Sequence, residues 1–211
     1  MSAIAHESRG VELAEHFGDL EQQTHAARFG MWVFLASEVL LFAGLFTFYA
    51  AYRYMHAAAF ASAITTNNKL LGSLNTVVLI TSSFTIALAI DAAEHGRVRK
   101  ARFLVGATLV LALAFLVDKF VEYGQHFDEG IWPGGHGGQT GGAAIFYTLY
   151  FLITGAHAVH VIIGMCVLGW LGIRLSKPRV SHLGLELGGL YWHLVDIIWI
   201  FLWPLFYLTG G

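Results

Sequence analysis

Five long stretches of continuous apolar residues dominate the chain. They comprise residues 29–54, 70–90, 101–123, 143–173 and 187–208. Each reaches the roughly 20 residues that a helix needs to cross the apolar core of a bilayer. The apolar positions run on rather than alternating with polar ones, so a porin-type barrel does not fit. The pattern predicts an all-α integral membrane bundle of five transmembrane helices within residues 28–211.

The first 27 residues form a polar N-terminal tail. It has no apolar segment of the kind found in a cleavable signal peptide, so we expect the first span to insert as it stands. Residues 11–22 combine Val11, Ala14 and Phe17 with acidic side chains. This segment fits either a short helix on the membrane surface or a disordered tail.

Composition narrows the class of protein. Of the 211 residues, 56% are hydrophobic and 12% are charged, whereas a soluble domain has about 25% charged residues. A soluble globular enzyme is therefore excluded, and the net charge of −2 gives no sign of nucleic-acid binding. The single cysteine, Cys166, excludes a disulfide framework within the chain. With no soluble domain, we expect the chain to work inside a larger complex.

Basic residues predict the orientation in the membrane. Nine of the 12 lie in the tail or near the connections after spans two and four, and three lie near the opposite side. Because cytoplasmic segments carry the excess of Lys and Arg, we expect the N-terminus inside and the C-terminus outside.

Four ionisable residues fall near the middle of predicted spans. They are Glu38, His157, His160 and Asp196. Such residues are costly in hydrocarbon and usually face the interior of a bundle. At 100° per residue, both histidines and Gly164 share one stripe of span four. Asp196 shares an arc of span five with several tryptophans. We therefore expect one buried polar cluster of these four residues.

Three interpretations compete for the histidine pair. The first is metal or haem ligation, but two histidines three residues apart on one helix cannot occupy opposite sides of one haem iron. The second is a proton path, and the third is a structural hydrogen-bond cluster between helices. We favour the third, with the second as an addition, and predict no metal bound to this chain. Because burial disfavours a charged carboxylate, we expect a neutral Glu38 bonded to His157, the preferred partner, or to His160.

We predict that the polar and aromatic residues near the outer end of span three lie at the membrane surface. We expect Asp118, Lys119 and Glu122 to extend toward the interface. Tyr123, Trp132, Tyr147 and Tyr150 are typical of an outer aromatic belt. Residues 124–142 are glycine-rich and predict a flexible outer loop, in which His136 is a solvated residue rather than a metal ligand.

Several short motifs on the five spans carry a resemblance to a known family. They are Ser37-Glu38-Val39, Leu74-Asn75-Thr76 with Ser82-Ser83, Glu122-Tyr123, Thr154-Gly155-x-His157-x-x-His160-Val161-x-x-Gly164, and Glu186 with Tyr191-Trp192-His193-x-Val195-Asp196-x-x-Trp199. Together, over about residues 28–208, they make the chain resemble subunit III of the haem–copper respiratory oxidases. It looks like the shorter bacterial form, which lacks the first two of seven helices.

The resemblance implies a non-redox accessory subunit of a proton-pumping terminal oxidase in a bacterial cell membrane. No residue of this chain would be catalytic, and haem and copper would lie in partner subunits. The chain would pack beside the catalytic subunit I, hold phospholipid, support proton uptake and protect the oxidase from turnover-linked inactivation. Glu38 matches the residue that reacts with carbodiimides in relatives. The electron donor, cytochrome c or quinol, is not readable from this chain.

Phospholipid is the one small-molecule partner expected here. Basic side chains at the inner ends of spans can bind lipid phosphates, and the candidates are Arg97, Arg99, Arg102 and Arg174. We expect ordered lipid against spans one and two, where Gly30 and Gly44 leave room. Three alternatives remain open: a subunit III-like protein of a nitric oxide reductase, a proton-coupled transporter using Glu38 and Asp196, and a haem-binding electron carrier.

Overall fold

The computed structural model describes residues 14–15, 17–65, 67, 69–132, 135–136, 141–175 and 182–209. In chain order its helices are α1 (Leu20–Met55), α2 (Ala57–Ile64), α3 (Lys69–Glu94), α4 (Val98–Asp128), α5 (Gly142–Arg174) and α6 (His182–Trp203). A π-helical segment, Pro204–Leu208, continues α6. Two short antiparallel strands, β1 (Ile131–Trp132) and β2 (Gly135–His136), precede α5.

The prediction of five membrane-spanning helices is confirmed. Among the described residues, α1, α3, α4, α5 and α6 with its π-helical extension are long and apolar enough to cross a bilayer. The shortest of them has 26 residues, which gives about 39 Å at 1.5 Å per residue. We call the end that carries the β-hairpin the hairpin end, and the end that carries the α3–α4 connection the tail end.

The first helix begins earlier than the hydropathy of the chain suggests. The Asp19 side chain accepts a 2.7 Å hydrogen bond from the Gln22 backbone N–H and caps the helix. Glu21 lies in the first turn, where a carboxylate interacts favourably with the helix dipole. The end of residues 11–22 thus belongs to α1, whereas most of the predicted tail lies outside the described residues.

The predicted loop after span three begins later than expected. Instead of ending at residue 123, α4 continues to Asp128. The cause is packing, because His126 is buried with its ring 5.8 Å from the Tyr147 ring and 5.5 Å from the Tyr150 ring. The expected flexible loop falls partly on residues 133–134 and 137–140, which lie outside the described residues.

Helices α5 and α6 form the centre of the bundle. They pack against each other, α4 covers α5, and α3 packs along both α4 and α6. Gly164 is a point of close approach, since a Cβ atom there would lie 2.8 Å from the Trp192 ring. On the other side, α1 packs against α5 and α6 and buries the smallest share of its apolar residues.

The π-helical segment ties the last helix to earlier parts of the chain. Pro204 has no backbone N–H to donate, and the widened turn presents free carbonyl groups. Tyr49 Oη donates to the Leu205 carbonyl at 2.7 Å, and Asn67 Nδ2 donates to the Phe206 carbonyl at 2.9 Å. Arg53 donates to the Thr209 carbonyl at 2.8 Å.

Candidate functional site

Glu38 on α1 and His160 on α5 form a polar contact between these helices, near the middle of each. His160 Nε2 lies 2.8 Å from Glu38 Oε2, and its Nδ1 lies 2.7 Å from the Ala156 carbonyl oxygen. Both side chains are mostly buried. A carbonyl can only accept, so Nδ1 carries a proton. The Glu38–His160 contact then contains one further proton, held either by Glu38 or by His160, and the pair is neutral overall in both cases.

Aromatic side chains from both neighbouring helices contact His160. The Phe42 ring of α1 meets it edge-on with 5.2 Å between centroids. Tyr191 of α6 donates from its hydroxyl to the His160 backbone carbonyl at 3.2 Å, and its ring packs at a tilt against Phe34 of α1 with 5.8 Å between centroids. The pair therefore lies where α1, α5 and α6 meet.

His157 takes a different place from the one we expected. It is fully buried, with its ring 5.6 Å from Phe115 and 5.3 Å from Trp199. Within the described part of the chain, neither ring nitrogen has a hydrogen-bond partner. His160 and not His157 is thus the partner of Glu38, because the α5 stripe turns His157 toward α4 and α6 rather than toward α1.

Asp196 is not hydrogen-bonded to the Glu38–His160 pair. It is buried on α6, and neither carboxyl oxygen has a hydrogen-bond partner among the residues that the structure describes. Its helix contacts the hydroxyl groups of α3: Trp192 Nε1 donates to Ser82 at 3.1 Å, and His193 Nδ1 lies 2.6 Å from Ser83 Oγ. The expected four-residue cluster is therefore divided, with Asp196 on the α3 side of the bundle.

The interfacial interpretation of Lys119 and Glu122 is wrong. Both side chains are buried and form an ion pair, with Lys119 Nζ 2.8 Å from Glu122 Oε2. Tyr150 and Tyr207 donate to Glu122 Oε1 at 2.8 and 2.6 Å. The Lys119 ammonium lies between 5.1 and 5.8 Å from four aromatic ring centroids, among them that of Trp199. Such contacts are favourable cation–π interactions.

The sequence analysis also predicted surface positions for residues next to this ion pair, and most of them form contacts inside the bundle. Asn75 Nδ2 on α3 lies 2.5 Å from Asp118 Oδ2, and the hydroxyl groups of Tyr123 and Thr154 lie 2.6 Å apart. Tyr147 and Tyr150 are buried, so the predicted aromatic belt is wrong for both, whereas Trp132 is exposed. One sequence feature that could have indicated burial is the presence of Tyr147 and Tyr150 on the next span, whose hydroxyl groups can bond to the charged residues of α4.

The four candidate lipid-binding arginines are exposed at the tail end. Arg97 pairs with Asp91 at 2.9 Å, and the Arg174 guanidinium stacks on the Trp170 ring with 4.1 Å to its centroid. Near Trp170 an apolar groove of about 330 Å³ opens between α1, α5 and α6. Its walls include Met31 and Phe34 from α1 and Leu187 and Tyr191 from α6.

Two glycines expected to make room for lipid face open space. A Cβ atom at Gly30 or Gly44 on α1 would meet no atom within 4 Å. The groove lies near Gly30, next to Met31 of α1, and its other walls come from α5 and α6 rather than from α3. Within the described ranges, no three His, Cys, Asp or Glu side chains gather where they could hold a metal ion.

Comparison with known proteins agrees with this architecture. The sequence profile of the cytochrome c oxidase subunit III family matches residues 15–211. Cytochrome c oxidase subunit 3 of Synechocystis sp. is 31% identical over 184 residues, which span 85% of this chain and 74% of the relative. Quinol oxidase subunit 3 of Bacillus spizizenii is 28% identical over 214 residues, covering 95% of this chain and 98% of the relative.

A fused relative also matches. The haem-copper oxidase subunit I+III of Aeropyrum pernix is 29% identical over 196 residues, which span 86% of this chain and 22% of that protein. The family profile covers nearly the whole described bundle, and the chain spans most of the length of its separate subunit 3 relatives. The resemblance in the motifs is thereby confirmed, and the chain belongs to the cytochrome c oxidase subunit III family.

Proposed function

We propose that this multi-pass membrane protein is the non-redox accessory subunit of a proton-pumping terminal oxidase. The observation that carries the proposal is that buried ionisable side chains are paired with one another inside the bundle. Glu38 of α1 pairs with His160 of α5. The Lys119–Glu122 pair lies within α4 and accepts hydrogen bonds from Tyr150 of α5 and from Tyr207 beyond α6. These groups thus join helices to one another rather than converge on a substrate or a metal. Oxygen reduction, haem and copper then belong to the partner subunits.

The direct partner in this proposal is the catalytic subunit I. One relative carries subunits I and III in a single chain, which supports a permanent association of the two. Other relatives are named as cytochrome c oxidase or quinol oxidase subunits. The same subunit type therefore accompanies both electron donors, and we propose that the donor site lies outside this chain.

Phospholipid is the proposed resident ligand. The groove between α1, α5 and α6 is apolar enough for an acyl chain, and Arg174 on Trp170 lies beside it with a phosphate-binding group. Bound lipid would fill the space beside the sparsely packed α1. In this way the subunit would stabilise the catalytic subunit, keep proton uptake fast and slow its inactivation during turnover.

We place the protein in the bacterial plasma membrane with its tail end in the cytoplasm. The basic residues near the α3–α4 and α5–α6 connections support this orientation. A cysteine introduced at Arg99 should react with a membrane-impermeant maleimide only after the cells are opened, whereas one at Trp132 should react in intact cells. Cys166 would be replaced by Ala in both variants. The reverse pattern would overturn the orientation.

The central experiment is purification of the tagged chain from its native membranes in mild detergent. We expect a haem-containing catalytic subunit to co-purify, with oxygen consumption by the complex. A complex without the chain should reduce oxygen initially and then lose activity faster over repeated turnovers. Co-purification with a nitric oxide reductase, or ion flux through the isolated chain in liposomes, would contradict the proposal.

A further inference from the structure

His193 presents a polar ring at the surface of the bundle. Its Nδ1 lies 2.6 Å from Ser83 Oγ, and its side chain is only partly buried. Nε2 has no hydrogen-bond partner within the described residues. Whichever tautomer the Ser83 contact selects, Nε2 can still donate or accept one hydrogen bond.

The exposed side chains beside His193 on this side of the bundle are apolar, whereas Asp196, one turn further along α6, is buried. At 100° per residue, Ile197 and Ile200 lie about 40° and 20° from His193 around the α6 axis. Both are exposed, at 49% and 43%, as is Ile80 on α3, one turn before Ser83, at 50%. We call the strip of His193, Ile197 and Ile200 the α6 face.

Hydrocarbon is a poor neighbour for the α6 face. A lipid tail offers no hydrogen-bonding group, and a polar atom left unpaired in the bilayer core carries a free-energy cost. The α6 helix packs against both α1 and α3. The α6 face is therefore a strip between two flanking helices, with a hydrogen-bonding group part-way along it. This combination suits a transmembrane helix with one polar side chain better than it suits lipid.

We propose that a transmembrane helix of the oxidase catalytic subunit docks on the α6 face and hydrogen-bonds His193 Nε2 through a polar side chain. The proposal rests on the function proposed above, since it takes the catalytic subunit as partner. The relative that joins subunits I and III in one chain supports that choice of occupant. Packing on Ile197 and Ile200 supplies contact area, and His193 selects the register.

Site-specific photocross-linking tests the location. The photoreactive amino acid p-benzoylphenylalanine is placed singly at Ile197 or Ile200, and at the exposed α4 positions Val110 or Leu113 as matched controls. Irradiation of native membranes should give a covalent adduct with the catalytic subunit from the α6 positions only. Loss of the catalytic subunit from the α6 variants alone would support the same face, because the bulky group would block docking.

Other outcomes separate the two proposals. A complex that contains the catalytic subunit but gives its adduct from Val110 or Leu113, or only lipid adducts from the α6 positions, overturns the docking face. Absence of any catalytic subunit from the wild-type preparation overturns the proposed function itself.

Variants of His193 test the hydrogen bond. His193→Leu should lower the fraction of catalytic subunit retained in mild detergent at least threefold. His193→Gln, which keeps a donor and an acceptor, should retain it. Ser83→Ala removes only the bond within this chain and should also retain it. Full retention by His193→Leu, or an equal loss in Ser83→Ala, would show that Nε2 does not bind the partner.

Discussion

Lys119 and Glu122, one turn apart on the apolar helix α4, form an ion pair in the interior of the bundle. Their side chains are 5% and 4% exposed, and the Nζ–Oε2 distance is 2.8 Å. The hydroxyl groups of Tyr207, in the π-helical segment after α6, and of Tyr150 on α5 donate hydrogen bonds to Glu122. The packing of α4, α5 and the segment after α6 thus depends on one buried ion pair.

Removing one charge of this pair should destabilise the bundle strongly. Lys119→Met leaves the Glu122 carboxylate buried without its counter-ion, which typically costs about 3–5 kcal/mol. The double variant Lys119→Met/Glu122→Gln removes both charges and should recover most of that loss. Denaturant unfolding of the purified complex in detergent measures both. A single variant as stable as the wild type would contradict the assignment.

The Glu38–His160 contact should tolerate an amide but not a methyl group. In Glu38→Gln the amide N–H can donate to His160 Nε2, so we expect a change in unfolding free energy below about 1 kcal/mol and nearly normal oxygen reduction. Glu38→Ala leaves Nε2 unpaired, which costs about 1–3 kcal/mol. Thermal unfolding and oxygen consumption check the pair. Equal stability of the two variants would argue against the hydrogen bond.

Two glycines should respond in opposite ways to the same substitution. Gly164→Ala places a Cβ atom 2.8 Å from the Trp192 ring, and overpacking of this kind costs about 1–3 kcal/mol. Gly44→Ala meets no atom within 4 Å and should be neutral or slightly stabilising. The difference between their melting temperatures checks the packing of α5 on α6. A neutral Gly164→Ala would show that this contact is looser than described.

Lipid retention should depend on Arg174 more than on Arg99. Arg174 stacks on Trp170 beside the apolar groove, whereas Arg99 is exposed and has no assigned contact with the groove. Arg174→Gln should halve, at least, the anionic phospholipid that co-purifies with the complex, as measured by mass spectrometry of lipid extracts. Arg99→Gln is the control. Equal lipid content in both variants would contradict a headgroup site at Arg174.

The number and position of the membrane helices were predictable because hydropathy reports directly on burial in lipid. Their ends were less so. Asp19 extends α1 through a capping bond, and His126 extends α4 through ring packing. Both effects are local contacts that a hydropathy pattern does not contain.

The candidate site was predictable in part, since mid-depth positions on facing helices predicted a contact between Glu38 and a histidine of α5. Helical spacing did not distinguish His157, the preferred partner, from His160. Glu38 and His160 meet because both lie at mid-depth on facing helices. The Lys119–Glu122 pair was misplaced because its burial depends on Tyr207, 85 residues further along from Glu122, held by an irregular turn. No periodicity within α4 signals a partner at that distance in the chain.

The π-helical segment after α6 also has a consequence for biogenesis. Its carbonyl groups at Leu205 and Phe206 are the acceptors for Tyr49 and for Asn67. These donors belong to α1 and to the α2–α3 connection, which leave the ribosome long before their acceptors do. Helices inserted early must therefore wait for the last one to arrive before their polar groups are satisfied. Folding of the end of the fifth span is thus the last step of assembly, and a chain interrupted before Pro204 would leave Tyr49 and Asn67 without these acceptors.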